Sequence, residues 1–114
     1  MKKETGVIAF EITGDSMENG THESFKKGCY VFTEPFSIEE FKENIANNLD
    51  SFWIIGGKDG YTLKQITQYT EEYGIRCHSL NPEYQDFIMK LEDITCIFLV
   101  TASQTKVIYH REKF

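Results

Sequence analysis

The stretch SFWIIGGKDGYTLKQITQY, Ser51 to Tyr69, leaves this chain little choice of architecture. An apolar run stops at Gly56-Gly57, and Lys-Asp-Gly follows. Residues rich in β-formers then alternate, with Tyr61, Leu63 and Gln65 on one face and Thr62, Lys64 and Ile66 on the other. A period of two describes a strand, because successive side chains of extended backbone point to opposite sides. Two such runs separated by a turn signal predict an antiparallel hairpin closing near Asp59-Gly60.

The remainder reads the same way. GVIAFEIT (Gly6 to Thr13) predicts a strand running into a turn at Gly14-Asp15, and CYVFTEP predicts a second strand ended by Pro35. The turn EEYG precedes a short strand in IRCHSL. An Asn-Pro turn in NPEYQDF then leads to last strands in IMKLEDITCIFLVTAS and TKVIYHREKF. Only SIEEFKENIANNL breaks the pattern. Ser37 with Glu40 forms a capping box, and Ile38, Phe41, Ile45 and Leu49 recur at helical spacing. The expectation is a mostly β fold with a curled antiparallel sheet and one short helix.

Composition bounds the rest. A chain of 114 residues holds one compact domain, taken here as 1–114, and its 40% hydrophobic fraction argues against disorder. Twelve Lys and Arg against 18 Asp and Glu give a net charge of −6, which removes the electrostatic term that dominates nucleic-acid binding. Cys29, Cys77 and Cys96 are widely spaced with no C-x-x-C pair, so they read as free thiols in a reducing compartment, with no metal site and no cofactor implied. Without a long apolar run or a leader-like start, the chain reads as soluble and cytoplasmic, with no membrane partner.

Two residues stand out chemically. Ser16, in Gly14-Asp15-Ser16-Met17, is either a turn serine bonding its own backbone or a nucleophile. A nucleophile needs a base. His22 lies in the following loop, but no acid at fixed spacing supports a Ser/His arrangement. Lys64 sits mid-strand beside Leu63 and Ile66, and either points to solvent or is held in a partly apolar site. Burial would lower its pKa and make it a general base that could deprotonate Ser16, a Ser-Lys variant of triad chemistry.

The series GDSMENG, KKGCYVF, DGYTLKQI and LNPEY resembles, in order and context, the C-terminal peptidase domain of the LexA, UmuD and phage-repressor family, the S24 serine peptidases. The likeness runs from about Val7 to Val107. It implies a β-clip type fold of curled antiparallel sheets, Ser16 as nucleophile and Lys64 as general base. It also implies an oxyanion site at the backbone N–H groups around Asp15 and Ser16, with Met17 packing beside it. Family members cleave their own upstream connector at an Ala-Gly or Cys-Gly bond when a RecA-type filament engages them. That resemblance implies a repressor domain acting on itself, and homodimerisation.

Departures from the family pattern are visible. Cys29 follows Gly28 where an acid is usual, Gln65 follows Lys64 where a base is usual, and SIEEFKENIANN lengthens the connection between the pair. Fifteen residues precede Ser16, with neither scissile dipeptide and no room for a helix-turn-helix domain, so DNA would be reached only through an upstream domain outside this chain. A second reading is therefore a non-catalytic dimerisation or sensor domain that keeps the fold. A signal-peptidase-like activity would share the chemistry but normally brings a membrane anchor. The apolar, β-rich segments CIFLVTAS and KVIYH are the expected dimer edge.

Overall fold

The computed structural model describes residues 6–21 and 24–104. Among the described residues seven strands form one sheet: β1 (Ile8–Glu11), β2 (Tyr30–Phe36), β3 (Phe52–Gly57), β4 (Gly60–Thr70), β5 (Gly74–His78), β6 (Phe87–Met89) and β7 (Cys96–Gln104). Their order is β1-β2-β7-β3-β4-β5-β6, and every pairing is antiparallel. The mostly β expectation holds, and the helix is α1 (Ile38–Asn44).

The hairpin closes as the sequence requires. Gly57 pairs with Gly60 around Lys58-Asp59, and Gly60 adopts φ +111°, a conformation glycine reaches without steric cost. Along β4 the alternation places Leu63 and Ile66 in two different apolar clusters. One cluster gathers Phe41, Trp53, Ile55 and Ile66; the other gathers Met17, Val31, Ile54, Leu63 and Phe98. The sheet therefore buries side chains on both faces.

Curling follows from ring contacts between strands far apart in the sheet. Phe10 of β1 and Tyr61 of β4 are separated by β2, β7 and β3, which in a flat sheet would hold them roughly 19 Å apart. Their ring centroids are 5.4 Å apart, and Phe10 also meets Phe98 at 5.1 Å. The sheet bends so that β1 lies against the hairpin.

Helix α1 begins as predicted. The Ser37 side chain accepts from the Glu40 N–H at 3.0 Å, and the Glu40 carboxylate accepts from the Ser37 N–H at 2.8 Å. This box orients the turn that sends Phe41 into contact with Trp53, ring centroids 5.0 Å apart. Ser37→Ala is expected to cost about 1 kcal/mol, read as a lower urea midpoint at unchanged slope, because a seven-residue helix has few other bonds at its start.

Three expectations are corrected. Pro35 does not end β2, which runs to Phe36; β1 reaches only Thr33, so on that side the proline interrupts no ladder. Leu49 is not part of the helix: α1 gives way to a 3₁₀ turn over Ile45–Asn47, and Leu49 is exposed. β7 is not a free edge, since β2 pairs along Ile97 to Gln104 and β3 along Cys96 to Leu99, leaving β1 and β6 as the outer strands. The expected strand in TKVIYHREKF, with its KVIYH portion of the dimer edge, lies outside the described residues.

Candidate active site

The chain leaves β1 at Glu11 and turns through Gly14, Asp15 and Ser16 before Met17 plugs into the core, 1% exposed. Met17 packs there with Val31, Ile54, Leu63 and Phe98. It also ties the turn down, because its carbonyl accepts from the Phe25 N–H at 2.8 Å. Ser16 itself is half-buried and Asp15 is exposed.

Lys64 comes to this turn from the middle of β4. It is 6% exposed, which decides between the two readings its sequence context allows. Its Nζ lies 3.0 Å from Ser16 Oγ, 2.9 Å from Thr62 Oγ1 and 3.1 Å from the Leu63 carbonyl oxygen. No described acidic group approaches Nζ closely enough for an ion pair. Burial removes water from the ammonium and pushes the lysine pKa below its ordinary range. The opposing influence is Cys77, whose thiolate would raise it. Burial keeps that thiol protonated, its pKa pushed up to about 12, so the pull is absent at neutral pH.

The pair opens onto a groove of about 860 Å³. Ser16, Thr62, Lys64 and Ser79 are among its polar lining, which also carries the acidic Asp15, Asp59, Glu92 and Asp93, and Tyr61, Phe87, Ile88 and Met89 bring apolar surface. A second pocket of about 220 Å³ shares Gly14, Ser16, Tyr61 and Thr62 with the first, so the serine stands where two cavities meet. A chain passing over Ser16 would have room on both sides. Exposed Tyr61, Tyr84, Phe87 and Ile88 around the groove suit extended polypeptide with apolar side chains.

Other candidates fall away or lie elsewhere. His78 is held by Asp86 through Nδ1 at 2.7 Å, while His22 is outside the described residues. Cys29, Cys77 and Cys96 are free thiols, and the described residues contain no group of three metal-ligating side chains. No described helix is long and apolar enough to cross a membrane.

Four contributors escaped sequence reasoning. Thr62 was legible as sharing the Lys64 face but not as its hydrogen-bond partner. Ser79 is buried in the groove with its hydroxyl unpaired among the described residues. Asn81 and Tyr84 lie in LNPEY, a segment with a recognisable order but no readable role. They reach the Asp15-Ser16 turn from far along the chain.

A curled antiparallel sheet that brings a serine hydroxyl against a buried lysine amine at a groove defines a class, the β domains with peptidase-like architecture. The Peptidase S24-like family matches residues 1–100, and the chain belongs to that family. A comparison with curated proteins gives no match.

Proposed function

We propose that this chain is a LexA-like serine peptidase domain of a bacterial or phage transcriptional repressor, cutting a connector of its own polypeptide through Ser16 and Lys64. The observation that carries the reading is the 3.0 Å approach of Lys64 Nζ to Ser16 Oγ. The lysine concerned is buried, and no described acidic group lies close enough to pair with it.

A neutral lysine amine has two N–H bonds and one lone pair. Thr62 Oγ1 and the Leu63 carbonyl are placed to accept the two N–H bonds, which turns the lone pair toward the Ser16 hydroxyl. Lys64 then takes the hydroxyl proton as Oγ attacks the scissile carbonyl carbon, forming the C–O bond and an oxyanion. Backbone N–H groups at Asp15 and Ser16 would stabilise that charge. Collapse breaks the C–N bond while the Lys64 ammonium returns its proton to the departing amine. Water, deprotonated by Lys64, then releases the acyl group as a carboxylic acid and restores Ser16. On the family resemblance the same reading takes a second copy as partner and a RecA-type filament as activator.

Rate should follow the neutral fraction of Lys64. Cleavage is expected to rise with pH through a midpoint below the ordinary lysine pKa and then level off, because burial has lowered that pKa. The test is intact mass against time for the full reading frame at neutral and alkaline pH, beside Ser16→Ala and Lys64→Ala. Cleavage in the wild type alone supports the proposal. A wild type that stays whole at every pH and with an added RecA-type filament leaves the chain as a non-catalytic dimerisation or sensor domain.

A further inference from the structure

We propose that Asn81 is a positioning residue that aims the Ser16 N–H into the groove as an oxyanion donor, an inference that rests on the peptidase reading above. Asn81 holds two successive peptide planes. Its Nδ2 donates to the Asp15 carbonyl oxygen at 3.0 Å, and its backbone N–H donates to the Ser16 carbonyl oxygen at 2.9 Å.

A trans peptide is planar, with its C=O and N–H pointing in opposite directions. Anchoring the Asp15 carbonyl toward Asn81 therefore aims the Ser16 N–H, the other end of the same plane, away from Asn81. Anchoring the next plane through the Ser16 carbonyl fixes the dihedrals on both sides of the Ser16 Cα, and with them the starting direction of its side chain. Among the described residues no acceptor takes the Ser16 N–H, which leaves it available to a developing negative charge.

The loop that carries Asn81 is itself anchored. The Asn81 Oδ1 accepts from the Glu83 N–H at 2.9 Å, and the Tyr84 hydroxyl donates to the Asp15 carboxylate. At the loop's far end the Asp86 carboxylate accepts from Arg76 Nε at 2.9 Å and meets His78 Nδ1 at 2.7 Å. A donor held at both ends of its loop needs no reorganisation when charge develops, and electrostatic stabilisation of this kind depends on that.

Asn81→Asp removes the Nδ2 donor. It keeps an acceptor for the Glu83 N–H and the backbone donor to Ser16 but adds a carboxylate beside the serine turn, whereas Asn81→Ala removes the same bond to Asp15 without adding charge. With a Ser16→Ala copy of the full gene product as substrate in trans, Asn81→Asp and Asn81→Ala are each expected to lower kcat about 100-fold. KM should stay near wild type in both, and the pH midpoint should stay near wild type in Asn81→Ala, which adds no charge near Lys64. Tyr84→Phe, which leaves both carbonyl anchors, should cost less than about tenfold in the same assay. The ¹⁵N–¹H residual dipolar coupling of the Ser16 amide should change in both Asn81 variants.

An Asn81→Asp enzyme that melts like wild type and keeps kcat within about twofold would overturn the proposal, as would a loss in Asn81→Ala that follows a shifted pH midpoint. An unchanged Ser16 coupling would also overturn it. If the wild type cleaves nothing, the peptidase reading fails by itself, and the amide coupling still decides whether Asn81 aims this N–H.

Discussion

Lys64→Met is expected to lower the cleavage rate at least about a thousandfold and at the same time to make the domain more stable at neutral pH. The first effect follows from losing the base that takes the Ser16 proton, with no described histidine near enough to replace it. The second follows from the site. An ammonium only 6% exposed has given up most of its water, and its partners are a threonine hydroxyl, a serine hydroxyl and one carbonyl in place of a carboxylate. Methionine fills a similar volume without that charge.

The pH dependence separates this account from simple repacking. The folded-state pKa of Lys64 lies below its unfolded value of about 10.4. Between the two the unfolded chain binds a proton that the folded chain does not, so wild-type stability rises with pH across that window. Below the folded pKa both states are protonated and the folded state carries the full cost of a buried charge. The advantage of methionine should therefore be greatest there, on the order of 1 kcal/mol or about 4–8 °C in melting temperature, and should shrink as pH climbs toward the unfolded value. Thermal melts of the two proteins over a pH series would show it. An advantage that does not change with pH would mean that packing alone explains it.

Gly74→Ala is expected to be the most damaging single-methyl change, costing about 3 kcal/mol or more. Gly74 opens β5 at φ +99°, and a Cβ there would lie 2.2 Å from the Met89 carbonyl oxygen and 2.9 Å from the Lys90 Cα. Backbone atoms cannot swing aside as a side chain can, so β6 would have to move. Gly28 is the control: its φ is +93°, yet nothing lies within 4 Å of the added Cβ, so Gly28→Ala should show the backbone strain alone, about 1 kcal/mol. Paired urea titrations would measure the difference. Because Phe87, Ile88 and Met89 line the groove, Gly74→Ala should also impair cleavage at temperatures where the domain is still folded. Equal losses for the two substitutions would argue against a tight β5–β6 contact.

How much of this was readable differs from element to element. The β3–β4 hairpin was legible because period-two alternation and a Lys-Asp-Gly turn are local properties of consecutive residues. So was the start of α1, where Ser37 and Glu40 satisfy each other's backbone N–H groups across three positions. Leu49 misled because its spacing continued the helical stripe after the backbone had passed through a 3₁₀ turn. Pro35 misled because a proline's effect on a strand depends on which neighbours pair with it, and sheet order is not local. The same holds for β7, whose apolar character suited a buried interior strand as well as an exposed edge.

Alone, the sequence determined the β-rich class, the hairpin, the capped helix and, through residue types and their order, the family and the two candidate side chains. The tertiary structure decided whether those side chains meet and what surrounds them. Ser16 follows β1 and Lys64 lies on β4, with three strands between those two in the sheet. Curling brings the turn after β1 against the hairpin, buries the amine away from any described carboxylate, and lets Asn81 grip the serine turn. Contacts of this kind depend on how a whole sheet bends to cover two apolar clusters, a property summed over many residues that no short stretch contains.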